Sequence, residues 1–527
     1  MRKSLFACFV VFPLLFLSCR TDFDFVAKTG TLGFSKDTVY LDTVFSSIST
    51  STYTLKVYNR SDENILIPQV KLAKENASKY RIMVDGMTGI DSDNSGIGDG
   101  KVFENVELLA KDSMFIFIEA TADINDANPA DFLYTDEILF GTPNNYQKVN
   151  LVTLIQDAYF IYPNRENGIV EGVDFGFDAD GNVTQVQGRN LSENHPINGN
   201  ELVMTNEKPY VIYGYASVPV GKTLTINPGA RLHFHAQSGM IVQENATLKI
   251  NGALSNTEAL ENEVIFEGDR LEPFYSDIAG QWGFIYFRDN SKDHEINHLT
   301  LKNAIVGFLV QNNAGTPMKI RNSQFYNCSN VGLLARFANI EAENSVWNNA
   351  GQAAVALTFG GSYDFKHCTI NNNFPESSQA ALIVNNYFED NAGTETAFDL
   401  SKCDFTNCII YGSGGKNIQL DKSDLKLFNY SFTNNLVRIS DGDPYYNSAL
   451  FDVLRNQQNG NIKNRQPGFF NLRNNQMNID ESSPAINAGT PTTLGQVSTD
   501  ILGRPRPTPP SLNPDMGAYQ NAPFPED

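Results

Sequence analysis

The heptapeptide NSVWNNA, residues 344–350, sets one of only two tryptophans in the chain among three asparagines and a serine. It is too polar for a strand buried on both faces, and a surface loop has little use for a tryptophan. Its meaning comes from similar stretches elsewhere. Placed over HLTLKNA, NSQFYNC, HCTINNN, KCDFTNC and NYSFTNN, it aligns a bulky apolar column: Leu301, Phe325, Trp347, Ile370, Phe405 and Phe432. Two residues on, every copy has asparagine: Asn303, Asn327, Asn349, Asn372, Asn407 and Asn434. The copies follow at 22 to 24 residues, then at 35 and 27.

This period, with one short strand per copy, is too short for two-helix repeats and lacks the leucine–asparagine framework of leucine-rich repeats. It predicts coils of a parallel β-helix, each adding one strand to each of several parallel sheets. Period-two geometry points the apolar column into the bore, together with the column two residues before it: Leu299, Ser323, Ser345, Cys368, Cys403 and Tyr430. The asparagines are expected to point inward at the turn. Coils stacked at about 4.8 Å would let their amides bond to one another and to the turn backbone. The long spacings predict loops extruded from the coil, the larger near 373–395. About ten coils are expected between 209 and 440.

Upstream, TVYLDTVF (38–45), YTLKVYN (53–59), SMFIFIEA (113–120) and VNLVTLIQ (149–156) have strand period and are separated by turn-rich stretches. They predict an antiparallel, immunoglobulin-like β-sandwich over 27–158. Residues 159–208 read as linker and β-helix entry, 163–200 being rich in Gly, Asp and Asn. Residues 441–527 read as its C-terminal end and cap. The expected fold class is all-β, a sandwich followed by a right-handed parallel β-helix.

The chain has 527 residues, 41% apolar, with a net charge of −21. An acidic surface of this size argues against nucleic acid or anionic lipid as a partner held by charge. Residues 1–19 read as a leader: Arg2 and Lys3, then the apolar run LFACFVVFPLLFL (5–17), interrupted by Pro13 and shorter than the roughly 20 residues a membrane span needs. FLSC (16–19) resembles the bacterial lipoprotein processing box, with Phe16 where the family prefers Leu. The resemblance implies lipidation of Cys19, export, and anchoring to an outer membrane, with the cell surface as the expected location.

The second domain resembles the right-handed parallel β-helix (pectate-lyase-like) superfamily. VPVGKTLTINPGARLHF (218–234) is similar to opening coils of bacterial members. SPAINAG (483–489), DILGRPRP (500–507) and PDMGAYQ (514–520) are similar to a C-terminal block of bacterial surface β-helix proteins, which usually ends in Glu where this chain has Gln520. The resemblance implies a choice of chemistry. Lyases of the fold use a Lys or Arg base with Ca²⁺ on clustered acids, and hydrolases cluster Asp residues. Two outward columns, Lys302, Tyr326, Asn348, Asn371, Thr406, Thr433 and Thr300, Gln324, Val346, Thr369, Asp404, Ser431, hold a single acid. The column before the strand, Arg321, Glu343, Lys366 and Lys402, suggests ion pairing between coils. Lys366, Lys402 and Asp404 are the best lyase candidates.

Other features are local. Asp91, Asp93, Ser95 and Asp99 match ligand positions of an EF-hand-type loop, but Val102 stands where the bidentate Glu belongs. A solvated acidic turn is the preferred reading, with Ca²⁺ the alternative cofactor. Thr38, Thr43 and Ser113 lie in Asp-[Ser/Thr]-apolar triplets resembling an O-glycosylation acceptor of exported Gram-negative proteins. Cys368 and Cys403 share an inward column; stacked thiols are preferred over a disulfide. The expected function is a non-catalytic, outer-membrane-anchored scaffold for a protein or glycan partner. The alternative is a Ca²⁺-dependent polysaccharide lyase or another carbohydrate-active enzyme.

Overall fold

A computed structural model describes residues 24–27, 32–177, 182–375, 378–390 and 392–524. Cys19 and the leader lie outside the described residues. The chain divides into two units between Asp157 and Ala158.

In the first unit two sheets enclose a common core. Leu32–Phe34, Tyr53–Asn59, Ser113–Ala120 and Tyr80–Val84 form one; Val26–Ala27, Ile65–Leu72, Leu133–Thr142, Asn145–Gln156 and Thr38–Phe45, with Val102–Leu108 beside Ile65–Leu72, form the other. Alternation in Ser113–Ala120 shows why: Met114, Ile116 and Ile118 are buried, while Phe115 and Phe117 face out. The sandwich is not purely antiparallel. Thr38–Phe45 pairs parallel to Asn145–Gln156, and Val26–Ala27 parallel to Ile65–Leu72. Parallel partners far apart in sequence leave no hairpin signal.

The second unit is a parallel β-helix of three sheets. The first sheet has eleven strands, from Tyr159–Ile161 to Ile462–Lys463. The second contains strands such as Gly239–Val242, Ile285–Phe287 and Val306–Gln311; the third contains Thr247–Asn251, Glu295–Asn297 and Met318–Arg321. Val331–Glu343 and Ala353–Lys366 each run through both, bending at a bulge after Arg336. Coil pairing begins within 159–208, the stretch expected as linker and β-helix entry. Val183–Asn190 pairs with Tyr215–Val218, and Val203–Met204 with Thr223–Ile226. Here the polar residues build a buried pair, Arg189 Nη1 to Glu201 Oε2 at 2.7 Å, with Asn198 donating to the same carboxylate.

The aligned repeats hold register for four coils and then slip. Leu301, Phe325, Trp347 and Ile370 do stand over one another, but the next partners of Ile370 are Ile410 and Val437. Phe405 and Phe432 belong to the third sheet, stacked on Phe365. The cause is that two corners use one grammar. Asn303, Asn327 and Asn349 take positive φ at the end of a first-sheet strand; Asn407 and Asn434 do so after a third-sheet strand. Each follows a bulky inward residue by two, and asparagine tolerates the left-handed turn at both corners. The amide ladder is real at each: Asn349 Nδ2 donates to Asn327 Oδ1 at 2.5 Å and Asn344 Nδ2 to Asn322 Oδ1 at 3.3 Å. Within the bore the rings make one file. Phe308, Phe325, Trp347, Phe365, Phe405 and Phe432 lie at successive centroid distances of 4.9, 5.4, 5.7, 5.0 and 5.0 Å. The coil between Ile370 and Ile410 is the expanded one, and it extrudes an antiparallel hairpin, Tyr387–Glu389 with Glu395–Ala397.

The slip also corrects the cysteines. Cys368 stacks on Cys408, whose Sγ accepts from the Cys368 N–H at 3.4 Å, whereas Cys403 sits in register with Tyr363. Cys328, Cys368, Cys403 and Cys408 are free and buried, and burial pushes the Cys328 thiol up to about 12. A buried, protonated thiol is a poor nucleophile. A disulfide reagent such as DTNB should therefore label none of these four in the native protein and all four in denaturant. Rapid native labelling of Cys368 or Cys403 would contradict this packing.

The C-terminal region does two jobs. Tyr446, Phe451 and Leu454, on the short helices Pro444–Asn447, Ala449–Phe451 and Asp452–Arg455, join the bore core and close its end. Residues 469–520 then fold back over the outer face of the first sheet as a strap. Met477, Ile501, Ala518 and Tyr519 cluster with Val346. The strap also satisfies the corner residues: Asn344 bonds Thr499, His367 bonds Thr493, Asn407 bonds Thr490 and Asn434 bonds Ala488. Asn348 and Asn371 face out as expected, yet the strap buries them.

Candidate functional site

The third sheet puts charged residues on its outer face because every second side chain of a strand points away from the bore. Lys319, Glu341, Asp364 and Asp404 stand in register on successive coils, beside Arg321, Glu343 and Lys366. Strap residues 496–499 form the opposite wall of an open groove of about 520 Å³. Its charged lining is balanced: Lys319, Arg321 and Lys366 against Glu341, Glu343 and Asp364.

All three lyase candidates meet at this site, around a residue the sequence reading did not single out. Asp364 Oδ2 accepts from Lys366 Nζ at 2.8 Å and from Lys402 Nζ at 2.7 Å. Asp404 lies 3.8 Å from Lys402 and accepts from Ser431 Oγ at 2.6 Å. Arg321 Nε and Glu343 Oε2 are 3.0 Å apart, the inter-coil pair that the column predicted. Burial alone would lift the Asp364 carboxyl, but the two lysines outweigh it and hold its pKa below the ordinary value. Burial pulls Lys402 down, yet the bond to Asp364 and the charges of Asp364 and Asp404 win, so its pKa rises. That is the wrong direction for a general base, which needs a neutral amine near neutral pH.

The outward column of Lys302, Tyr326, Asn348 and Asn371 extends upstream to two residues that the repeats do not reveal, His233 and Glu267. On the outer face of the first sheet, His233, Glu267, Lys302, Tyr326, Asn348 and Asn371 follow one another coil by coil. Glu267 Oε2 is 2.8 Å from Lys302 Nζ, and its Oε1 is 3.7 Å from His233 Nδ1. Thr300 Oγ1 donates to Glu263 at 2.6 Å, and Asn371 Nδ2 to Asn348 Oδ1 at 2.8 Å. Burial would raise Glu267, but His233 and Lys302 hold it low; burial raises Glu263 and lowers His233. The strands Arg231–Phe234 and Val264–Gly268 lack the bulky-x-Asn signature. Alignment of repeats therefore began at 299 and passed over both glutamates. The available signal was the match of RLHF to VIFEG by strand period alone.

The acidic loop of the first unit keeps its carboxylates together. One oxygen each from Asp91, Asp93 and Asp99 lies within 4.8 Å of the others. Those oxygens are engaged with the loop's own backbone. Asp91 accepts from the N–H of Ser95 and Gly96, Asp93 from that of Ser95, and Asp99 from that of Ser92. Ser95 Oγ donates to the Ile97 carbonyl, and Val102 opens the strand Val102–Leu108. A fit to Ca²⁺ therefore lacks the bidentate ligand. Thr38 and Ser113 open their strands and Thr43 lies within one, each half-buried.

No family model matches the chain, and no curated protein matches it. Among solved structures, 27% of the chain is similar to a PapD-like domain of human CEP192, covering 97% of that chain at 11% identity with a TM-score of 0.15. A family 123 glycoside hydrolase from Clostridium perfringens is similar over 25% of this chain and 30% of its own, at 8% identity and a TM-score of 0.17. The catalytic domain of a GH87 alpha-1,3-glucanase in complex with nigerose is similar over 74% of this chain and 82% of its own, at 9% identity and a TM-score of 0.18. At these scores the reading rests on the residues themselves.

Proposed function

We propose that this protein is a non-catalytic scaffold, exported and tethered to an outer membrane through Cys19, whose β-helix binds a protein or glycan partner along its flank. The observation that carries this reading is the charge-balanced groove at Asp364. One oxygen of its central carboxylate, Asp364 Oδ2, accepts from two ammonium groups, whose charges disfavour its use as a general base and repel Ca²⁺. A polar, neutral groove suits hydrogen bonding to an uncharged polyhydroxylated chain or a polypeptide better than binding of a polyanion.

The second reading, a carbohydrate-active enzyme, is favoured by one specific observation: the Glu263, Glu267 and Lys302 cluster on the first sheet. A panel of polyuronates and neutral polysaccharides separates the two. The scaffold reading expects no unsaturated uronate absorbance and no new reducing ends, with wild-type protein and Glu267→Gln indistinguishable. Turnover by the wild type that Glu267→Gln abolishes would overturn it in favour of the enzyme.

A further inference from the structure

The corner between the second and third sheets is turned through a left-handed residue. Early coils fill it with Gly221, Asn245, Asn290 and Asn312, at φ between 40° and 71°. Those are the residue types that adopt this conformation at least cost. The next two coils instead place Phe337 and Phe359 there, at φ of 48° and 61°. A bulky aromatic is an outlier in that region, and strain of this kind is kept where something other than the coil requires it.

Both rings meet phenylalanines of the extruded segment. Phe337 lies 5.4 Å from Phe398, and Phe359 lies 5.7 Å from Phe388, centroid to centroid. The packing leaves much of the cluster open: Phe337 is 41% exposed and Phe388 46%. The second-sheet strands that lead into this corner carry half-buried leucines, Leu309 and Leu334, in register on successive coils. The extruded segment is acidic: residues 386–399 include Glu389, Asp390, Glu395 and Asp399 and contain no Lys or Arg, against one cation at the cluster, Arg336, whose guanidinium lies 5.8 Å over the Phe359 ring. Clustered exposed aromatics rimmed by charge are the anatomy of a protein interface.

We propose that this corner is a docking site for a protein partner presenting apolar side chains flanked by Lys or Arg. The occupant follows from charge complementarity: the rim attracts basic groups and repels anionic lipid and acidic glycans. The inference rests on the scaffold reading and specifies its partner.

The test uses the full mature chain and two labelled peptides, one amphipathic and built of Leu and Lys, the other with Glu in place of Lys. Fluorescence anisotropy is expected to show binding of the Leu/Lys peptide only, weakening with salt. The double variant Phe337→Asn, Phe359→Asn should lose at least about tenfold in affinity. Its thermal midpoint should hold or rise, because it restores the residue type the other coils use. Glu389→Gln with Glu395→Gln should weaken binding and flatten its salt dependence. Equal binding of both peptides, no binding of either, or undiminished binding by the double phenylalanine variant would overturn the proposal. So would a lowered midpoint in that variant, which would make the rings simple packing. Retention of anionic phospholipid vesicles through the same two phenylalanines would assign the corner to a membrane instead. Polysaccharide turnover by the wild type would sink the scaffold reading separately, through an assay that does not involve this corner.

Discussion

Replacing Arg506 with alanine is expected to free the strap while leaving the bore folded. Arg506 is buried, and its guanidinium reaches the parts of the strap that the sequence marked as one block. Nη1 donates to Gln520 Oε1 at 3.0 Å and to the Asp515 carbonyl at 3.2 Å. Nη2 donates to the Gly517 carbonyl at 2.9 Å and, across to the coils, to Asn344 Oδ1 at 3.1 Å; Nε donates to the Thr499 carbonyl at 3.2 Å. Burial lowers its pKa to about 10, partly offset by the charges of Asp500 and Asp515, so it remains a cation at neutral pH. Removing it leaves buried acceptors without donors and takes a buried cation from beside Asp515, while Asp500 keeps its pair with Arg504 at 2.7 Å, a loss on the order of 3–5 kcal/mol. Lysine should rescue little, since one ammonium cannot reproduce the planar fork. Hydrogen exchange should show amides of 498–520 losing protection while those of the bore strands keep theirs. Undiminished protection across 498–520 would refute this role. Gln520 ties the block together: its Oε1 accepts from Arg506 and from the Asp515 N–H, while its Nε2 donates to the Thr508 hydroxyl.

Acidification is expected to weaken the β-helix unit from near pH 6.5 downward, well before ordinary carboxylates titrate. His233, His294, His298 and His367 are all held below the ordinary imidazole value by burial, His294 at about 3. The sign follows from proton counting. Between the ordinary value and the depressed one, the unfolded chain binds protons that the folded chain does not, so stability rises with pH there and is lost as pH falls. Each such histidine contributes a slope of up to about 1.4 kcal/mol per pH unit. Glu201 and Asp364, held low by their cationic partners, add further loss below about pH 4.5. His235 runs the other way: its bond to Asp269 raises it, and its small contribution is lost as pH rises through its folded value. Thermal midpoints measured between pH 7 and 4 should fall steadily, and His294→Asn should flatten part of the slope. A midpoint that stayed level over that range would contradict the neutral, buried state of these rings.

The fold was legible where sequence writes a period. Strand bounds in the sandwich and the four coils around Trp347 follow from alternation and from asparagine at a left-handed corner. The register was lost at Ile370 because Trp347-Asn348-Asn349 and Phe405-Thr406-Asn407 obey one rule at two different corners. The candidate site was half legible. Lys366, Lys402 and Asp404 do converge, but the carboxylate that pairs with both lysines, Asp364, sits two residues before Lys366, outside the outward columns of the repeat. The strap's motifs were visible, whereas their partners are as much as 162 residues away in the chain, a distance over which no local pattern reaches.

The stretch NSVWNNA also gives the molecule a built-in optical label. Its two tryptophans, Trp282 and Trp347, are both fully buried in the bore, Trp347 stacked on Phe325 with planes 7° apart. The sandwich has none, so indole emission reports the state of the β-helix alone, while the backbone dichroism of both units sums in the far ultraviolet. Comparing the two signals along one unfolding curve distinguishes units that melt together from units that melt apart, without labelling or cutting the chain.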